Sequence, residues 1–449
     1  MSMSVIAVVI SIVVLVILIA RFKINAFIAL LLTTLGLALA LGNSGAEAVD
    51  LVIKGFGQTM GSCGIIIVLG VIIGFILEKT GGAEKIAASV LSVVKEKKAS
   101  LAMCITGSLV SIPVFADSAL MILFPVIKNL SRKAKTSFMG ITLGTVMCLA
   151  MTHSIIPPTP GPIAAAGLLG ADLGKVIFYG IMIAIPATLS VYLYSSKVIG
   201  KRWNQYVPEI EDRKTEEDKT NLFKESVKNP KGYPTWGAYM PIVIPIILIV
   251  FQSFCGNFLP KEHILNTIFG FIGNPIIALL IGIAVIWMLT REYKTSVRAG
   301  WLDKAMDSTA LVLLITAAGG AYGYVIKSSD IGACLSQSLS GLGLPGVLLP
   351  WLISATIVTA TGSTTVALTT SAAVCVSFLP TLGISPELCV LAIASGGMCV
   401  LHVNSSMFWL VQRMCKIPVT DLLKAIVPLS MVCSFAALAS TYLLSLLGI

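Results

Sequence analysis

The chain contains a second copy of part of itself. When the sequence is shifted by 249 positions, residues 78–177 align with residues 327–426 without a gap. In this alignment His153 coincides with His402, and only three histidines are present in the whole chain. Matched polar residues inside apolar sequence are typical of membrane transporters built from internal repeats.

Composition supports a polytopic membrane protein. Of the 449 residues, 56% are hydrophobic and 12% are charged, whereas soluble domains carry about 25% charged residues. Apolar runs of about 20 residues are long enough to cross a bilayer. The sequence predicts spans at 4–20, 24–42, 60–78, 138–170 (broken), 175–197, 236–256, 265–290, 308–326, 387–411 (broken) and 425–448. The runs 100–128 and 346–380 are interrupted at their midpoints by small and polar residues, so they are predicted to be re-entrant hairpins.

The distribution of basic residues predicts the orientation. If the loop at 21–23 is cytoplasmic, 27 of the 31 Lys and Arg residues fall on that side, which follows the positive-inside rule. The net charge of +10 is therefore explained by topology, and we expect no nucleic-acid partner. The protein is predicted to lie in the cell (inner or plasma) membrane, with both termini on the outer side. Each half has five crossings and one hairpin, and an odd number of crossings makes the second repeat inverted.

These features define the predicted domains. Residues 1–199 form the N-terminal repeat and residues 236–449 form the inverted C-terminal repeat. Between them, 200–235 is hydrophilic and of mixed charge, which predicts a solvated cytoplasmic linker. The ten cysteines show no Cys-x-x-Cys pair, so we expect no metal site and no cofactor.

Asp117 is the first candidate site residue. It lies midway through the first hairpin, and the nearby Ser111 and Ser118 are also candidate site residues. An ionised carboxylate at the bilayer centre costs at least about 2.5–3.5 kcal/mol. Asp117 is therefore predicted to bind substrate or a coupling ion, although it is also placed to cap one arm of the hairpin.

A second candidate segment contains Thr152, His153 and Thr159. Four prolines and a glycine within residues 157–162 forbid a continuous helix although apolar sequence flanks them. Irregular backbone at membrane depth is tolerated where it lines a cavity or is buried in protein. The segment is therefore predicted to border the binding site.

The corresponding parts of the second repeat are also polar. They are predicted to bind substrate or ion, through backbone groups or side chains, and the candidate residues are Thr361, Gly362, Ser363, Thr364, His402, Asn404 and Ser405. A single Ser or Thr in a membrane helix often bonds only to the preceding turn.

No arginine lies inside a predicted span. A carboxylate would therefore rest on hairpin and half-helix N-termini, which suits a small hydroxylated acid.

At these segments the chain resembles the gluconate permease family of the ion transporter superfamily. The resemblance lies in the sequences GFILEKTGGA (74–83), IPVFADSA (112–119), THSIIPPTPGP (152–162), TGSTTVA (361–367) and HVNSSMFW (402–409). It implies secondary uptake of a sugar acid such as gluconate with protons, or of a related acid such as glycerate, fructuronate or D-serine. It also implies a homodimer with an elevator mechanism. The scaffold would comprise spans 4–42 and 236–290, and the transport parts 58–199 and 305–449.

The chain departs from the family pattern at three positions. Thr159 replaces a histidine that the family commonly has, Ser405 replaces an aspartate, and Ala116 replaces an aromatic residue. Asp117 and His153 are the groups predicted to carry protons. Sodium coupling is the alternative, because hydroxyls and freed carbonyls also bind sodium. A channel and an intramembrane serine protease are competing classes, while a His-Glu-x-x-His zinc protease motif is absent.

Overall fold

The computed structural model describes residues 3–93, 98–204, 234–255, 264–329, 345–377 and 379–448. All regular elements in these ranges are helical, so the prediction of an all-α protein is confirmed. The helices are α1 Met3–Ala20, α2 Ala26–Ala40, α3 Gly45–Thr59, α4 Ile65–Lys79, α5 Gly82–Val93, α6 Ala99–Val110, α7 Ala116–Lys133, α8 Phe138–Ile155, α9 Pro160–Leu169, α10 Leu173–Tyr194, α11 Thr235–Cys255, α12 Ile264–Ile272, α13 Pro275–Leu289, α14 Thr295–Lys327, α15 Leu348–Thr361, α16 Thr364–Cys375, α17 Pro386–Gly396, α18 Ser406–Cys415 and α19 Val419–Leu446.

Helices predominate because a bilayer offers no water to backbone groups, and a helix satisfies those groups within one segment. Within the described ranges, six helices are long and apolar enough to cross a membrane. Two of them are longer than predicted. A π-helical turn at Met60–Gly64 joins α3 to α4, so this helix runs from Gly45 to Lys79, and α14 begins at Thr295. The extra turns are polar, which hides them from a hydropathy reading.

Two other bounds differ from the sequence prediction. The span predicted at 265–290 is two helices, α12 and α13, separated at Gly273 and Asn274. Asn274 caps α13 by accepting a hydrogen bond from the backbone N–H of Ile276, with Pro275 at the first helical position. The segment 79–98, which lies between the predicted span 60–78 and the predicted hairpin 100–128, contains α5. Apart from its two ends, the predicted linker at 200–235 lies outside the described residues.

The helix bounds repeat with the same offset as the sequence. Helices α2 and α13 are both 15 residues long and begin 249 positions apart. Helices α6 and α15 also begin 249 positions apart, and the starts of α7 to α10 match the starts of α16 to α19 to within three residues of that offset. Packing repeats as well, because α6 contacts α8 as α15 contacts α17, and α2 contacts α14 as α13 contacts α4.

The centre of the fold consists of α8 and α17, which are buried on nearly all sides. Both are apolar around their whole circumference, as expected for helices enclosed by others. Helices α6 and α10 flank α8, and α15 and α19 flank α17. Both α8 and α17 end in an irregular segment. The segment after α8 (156–159) is largely buried, and the segment after α17 (397–405) runs from buried residues to exposed ones.

Candidate functional site

Four helices are interrupted near their midpoints, and these interruptions build the candidate site. We call them break 1 (111–115, between α6 and α7), break 2 (156–159, between α8 and α9), break 3 (Gly362 and Ser363, between α15 and α16) and break 4 (397–405, between α17 and α18). Helices α6 and α7 form hairpin 1, and α15 and α16 form hairpin 2. All four breaks were predicted from the sequence, and the structure contains each of them.

Local sequence explains the breaks. In break 2 prolines remove backbone donors, and the peptide bond between Pro157 and Pro158 is cis. In break 3 Gly362 has φ +71°, a left-handed conformation that favours glycine. A side chain at Gly362 would also collide with the carbonyl oxygen of Asn404, at 2.2 Å. Gly362 therefore allows break 3 and break 4 to touch.

Break 1 and break 4 meet at a carboxylate. Asp117 lies in the first turn of α7, and its Oδ2 accepts a hydrogen bond from the hydroxyl of Ser406 at 3.2 Å. Ser406 is the first residue of α18, so this contact joins the two repeats. Asp117 is half-buried and Ser406 is exposed, so the carboxylate lies at an accessible edge of the site.

Break 4 and break 3 meet through two nitrogen-bearing side chains. The Nε2 of His402 lies 2.8 Å from the carbonyl oxygen of Thr359, near the end of α15. The amide of Asn404 donates to the same oxygen and to the carbonyl oxygen of Ala360, both at 3.2 Å. These bonds satisfy carbonyls that the end of α15 leaves free. They hold the tip of hairpin 2 against break 4.

Two further contacts involve break 1 and the start of α9, just after break 2. The rings of Phe115 in break 1 and His153 in α8 have centroids 5.7 Å apart. Gly161, just after break 2, lies against Thr365 and Leu368 of α16. Break 1 therefore touches break 4, break 4 touches break 3, and residues next to break 2 lie against Phe115 of break 1 and against hairpin 2.

Helix α4 supports this arrangement through glycines. A methyl group added at Gly74 would lie 1.8 Å from the carbonyl oxygen of Pro113 in break 1. One added at Gly70 would lie 2.7 Å from the carbonyl oxygen of Pro158 in break 2. Glycine at both positions lets the backbone of α4 approach both breaks closely.

The helix termini at the site favour an anion. Helices α7, α9, α16 and α18 all begin at the breaks, and helix N-termini carry free N–H groups and a partial positive charge. Phe115, Thr159 and Ser405, at the N-caps of α7, α9 and α18, make no side-chain capping hydrogen bond. No Lys or Arg lies in 99–127, 138–169, 345–377 or 386–412. An anion here would be bound by backbone groups, hydroxyls and an amide.

The predicted site residues divide into two groups. Those at or near the accessible junction of the breaks are Asp117, Ser118, Thr361, Gly362, Ser363, Thr364, His402, Asn404 and Ser405. Ser111 and Thr159 are buried, and both of their hydroxyls are hydrogen-bonded. Ser111 donates to the carbonyl oxygen of Leu149 at 2.8 Å, and Thr159 donates to that of Ile156 at 2.8 Å. Their hydroxyls are thus used in holding the breaks together.

Thr152 and His153 lie at the end of α8 but face different surroundings. Thr152 borders an apolar groove of about 490 Å³ between α6, α8 and α10, and its hydroxyl has no hydrogen-bond partner within the described part of the chain. His153 faces Phe115, and its Nδ1 is buried and likewise unpartnered among those residues. Thr152 therefore faces the groove, which Ile112 of break 1 also lines, whereas His153 packs against Phe115.

Sequence reasoning missed the contacts that cross between repeats. Ser406 was not predicted as a site residue although it adjoins Ser405, and Phe115 and the carbonyl groups of Thr359 and Ala360 were not singled out. Hydrophobic patterning carries no signal for such pairings. Across the ranges that the structure describes, no group of three or more His, Cys, Asp or Glu side chains could hold a metal ion.

Comparison with known proteins places this architecture among transporters. The profile of the family described as GntP family permease matches residues 3–447. An uncharacterized permease of Haemophilus influenzae is 33% identical over 92% of this chain and 86% of its own length. The D-serine transporter of Escherichia coli K12 is 30% identical over 97% of both chains. The high-affinity gluconate transporter of the same organism is 28% identical over 99% of this chain and 100% of its own.

Solved structures share the fold at low identity. The YdaH transporter of Alcanivorax borkumensis has a TM-score of 0.66 and 15% identity, over 94% of this chain and 98% of its own. MtrF of Neisseria gonorrhoeae has a TM-score of 0.68 and 14% identity, over 93% of this chain and 94% of its own. At these identities the likeness concerns the fold.

Proposed function

The chain belongs to the GntP permease family, and from this premise we propose that it imports a small hydroxylated carboxylate, such as a sugar acid, together with a proton. The observation that carries the proposal is the set of contacts that links the four helix breaks, in which Asp117 joins break 1 to break 4. The chain is a membrane transporter rather than an enzyme, as its family and relatives are permeases.

The substrate class follows from the chemistry of the site and from the relatives. The relatives named above include transporters of gluconate and D-serine, which both carry a carboxylate and at least one hydroxyl. In this chain, the N-termini of α9, α16 and α18 would receive the carboxylate. Hydroxyls of Ser405 and Thr364 and the amide of Asn404 would face the substrate's hydroxyl groups.

Proton coupling follows from placing two carboxylates in one site. Two negative charges 4 Å apart repel by about 4 kcal/mol at the effective dielectric constant of a protein surface. A proton on Asp117 removes that repulsion, so the proton and the acid favour each other's binding. Protonated Asp117 also gains a donor for the substrate, while Ser406 supports the ionised form through its hydroxyl. Movement of the proton with the acid is the expected consequence.

The transport cycle is proposed to be an elevator movement of inverted repeats. Helices α1, α2 and α11 to α13 would form the scaffold, and the hairpins with α8 to α10 and α17 to α19 would move. The paired packing of α6 on α8 and of α15 on α17 supports two equivalent moving units. At one end of α11 Ser253 donates to Asp172 at 2.6 Å, and at the other Tyr239 bonds Ser89. The movement would have to break both contacts.

The membrane placement remains that of the sequence prediction. We propose a multi-pass inner-membrane protein with both termini outside and the 200–235 segment in the cytoplasm. A homodimer formed by the scaffold helices is implied by the superfamily resemblance. Cross-linking of single-cysteine variants and labelling of the termini in intact cells would test both statements.

Sodium coupling is the competing mechanism, because carbonyls and hydroxyls at the breaks are chemically suited to it. In hairpin 2, however, the carbonyls of Thr359 and Ala360 already accept from His402 and Asn404. A sodium ion at those oxygens would have to displace nitrogen donors. This observation favours the proton.

The direct test is uptake into proteoliposomes. Radiolabelled gluconate, glycerate, fructuronate and D-serine would each be offered at two pH values, with and without sodium. We expect at least one of these acids to accumulate when the outside is acidic, in the absence of sodium. Accumulation that requires sodium and ignores the pH gradient would contradict proton coupling, and absence of uptake of every acid would contradict the substrate class.

A further inference from the structure

A polar cavity lies away from the four breaks. It has a volume of about 290 Å³ and is bounded by α3 and its π-helical turn, by α14, and by the ends of α9 and α16. Its polar side chains are those of Gln58, Thr59, Ser62, Tyr324 and Lys327. No predicted site residue lies among them.

The chemistry of this cavity differs from that of the four breaks. Lys327 is exposed at the last turn of α14, and no carboxylate within the described ranges forms a salt bridge with it. An amide, a phenol and two hydroxyls surround the same space. One ammonium group beside several neutral donors and acceptors matches an organic anion that also carries hydroxyls.

The position of the cavity connects it to the four breaks. Helices α9 and α16 begin at break 2 and break 3, and both end at the cavity. With 10 and 12 residues they span about 15–18 Å. The two helices also pack against each other along this length. A solute in the cavity is therefore one half-helix away from the candidate site.

The walls of the cavity come from both repeats. Helices α3 and α14 cross closely, since a methyl group at Gly55 would lie 2.5 Å from the Cβ of Tyr324. The ends of α9 and α16 form the opposite wall.

We propose that this cavity is an outer waiting site for the transported acid, in which Lys327 binds the carboxylate before the acid reaches the four breaks. The proposal rests on the transport function and on the orientation proposed above. Lys327 supplies the positive charge that the four breaks lack, so it raises the local concentration of an anionic substrate at low ionic strength. Gln58 and Ser62 contact the hydroxyl groups of the acid.

Uptake kinetics test the role of Lys327. Lys327→Gln is expected to raise the KM for external gluconate about fivefold, the typical size of one charge-assisted contact at an open surface, with the maximal rate within about twofold. Lys327→Arg should restore the KM. The control is Lys54→Gln, which removes a charge from the same end of α3. Lys54 is paired with Asp50 at 2.7 Å and does not line the cavity, so its KM should match the wild type.

A labelling experiment tests the anion site without transport. In Ser62→Cys, a sulfonate-bearing thiol reagent should react faster than a neutral reagent of the same size. That preference should vanish in the double variant with Lys327→Gln and with about 0.5 M salt. The unsubstituted chain is the background control, because its neighbouring Cys63 is buried.

The two experiments separate the possible failures. Equal KM values for Lys327→Gln and Lys54→Gln, or equal labelling by anionic and neutral reagents, would overturn the waiting site. Failure to transport any acid, with anion-selective labelling intact, would overturn the proposed function and leave the anion site in place. A KM effect seen only for acid supplied from inside would also overturn the proposal.

Discussion

Gly74→Ala tests whether the packing of α4 on break 1 sets the geometry of the site. The added methyl group would lie 1.8 Å from the carbonyl oxygen of Pro113, whereas real Cβ contacts essentially never fall under 3.0 Å. The tip of hairpin 1 must therefore retreat by at least about 1.2 Å. Overpacking of this kind costs about 1–3 kcal/mol. Asp117 is four residues from Pro113, so the retreat moves its carboxylate away from Ser406.

The expected result is a loss of substrate affinity. A penalty of about 1–3 kcal/mol corresponds to roughly a fivefold to 150-fold rise in KM. The assay is uptake into proteoliposomes, with the melting temperature of the purified protein measured alongside. Gly323→Ala, at the matching position of the second repeat, should be milder because its methyl group would lie 2.9 Å from the nearest atom.

Gly57→Ala provides the matched control on the same continuous helix. Nothing lies within 4 Å of a methyl group there, and alanine favours a helix over glycine by about 0.5–1 kcal/mol. Its uptake should equal that of the wild type. If Gly74→Ala transports with a KM within twofold of Gly57→Ala, break 1 is not positioned by α4 and the reasoning is refuted.

Three further outcomes are expected. Asp117→Asn should abolish uptake driven by a pH gradient while retaining exchange of labelled for unlabelled acid; retained accumulation in vesicles would exclude Asp117 as the proton carrier. Asn404→Ala removes two hydrogen bonds, each worth about 0.5–1.5 kcal/mol, and should lower both the thermal stability and the substrate affinity. A melting temperature and a KM equal to those of the wild type would show that Asn404 does not join break 3 to break 4. Burial raises the pKa of the Glu84 carboxyl, so the folded state holds its proton more tightly than the unfolded chain and loses stability as pH rises from the unfolded pKa through the folded pKa. Glu84→Gln should therefore raise the melting temperature more at pH 8 than at pH 5, and an equal rise at both values would contradict this.

The repeat and the broken helices were readable in the sequence because both leave local signals. Proline at 157–160 and glycine at 362 interrupt apolar runs that are otherwise long enough to cross a bilayer. The contact between Asp117 and Ser406 leaves no local signal in the sequence, because the two residues are 289 positions apart and meet only through the packing of the two repeats. The sequence also does not show which hydroxyl groups are accessible and which are buried, because that depends on tertiary packing.

The helix bounds that were wrong have physical explanations. The first turns of α3 and α14 are polar and lower the hydropathy of helices that continue through them. The separation of α12 from α13 did carry a signal, since Asn274 followed by Pro275 is a typical helix start. Apolar sequence on both sides outweighed that signal in the hydropathy reading.

The central claim is that Asp117 transfers a proton with each acid that passes the four breaks. The most direct measurement is internal pH in proteoliposomes, read with a trapped dye, after external gluconate or another transported acid is added without a pH gradient. The account predicts acidification inside the wild-type vesicles and none in vesicles with Asp117→Asn, although that variant still exchanges labelled acid. Equal acidification in both, or uptake by the wild type with no change in internal pH, would contradict it.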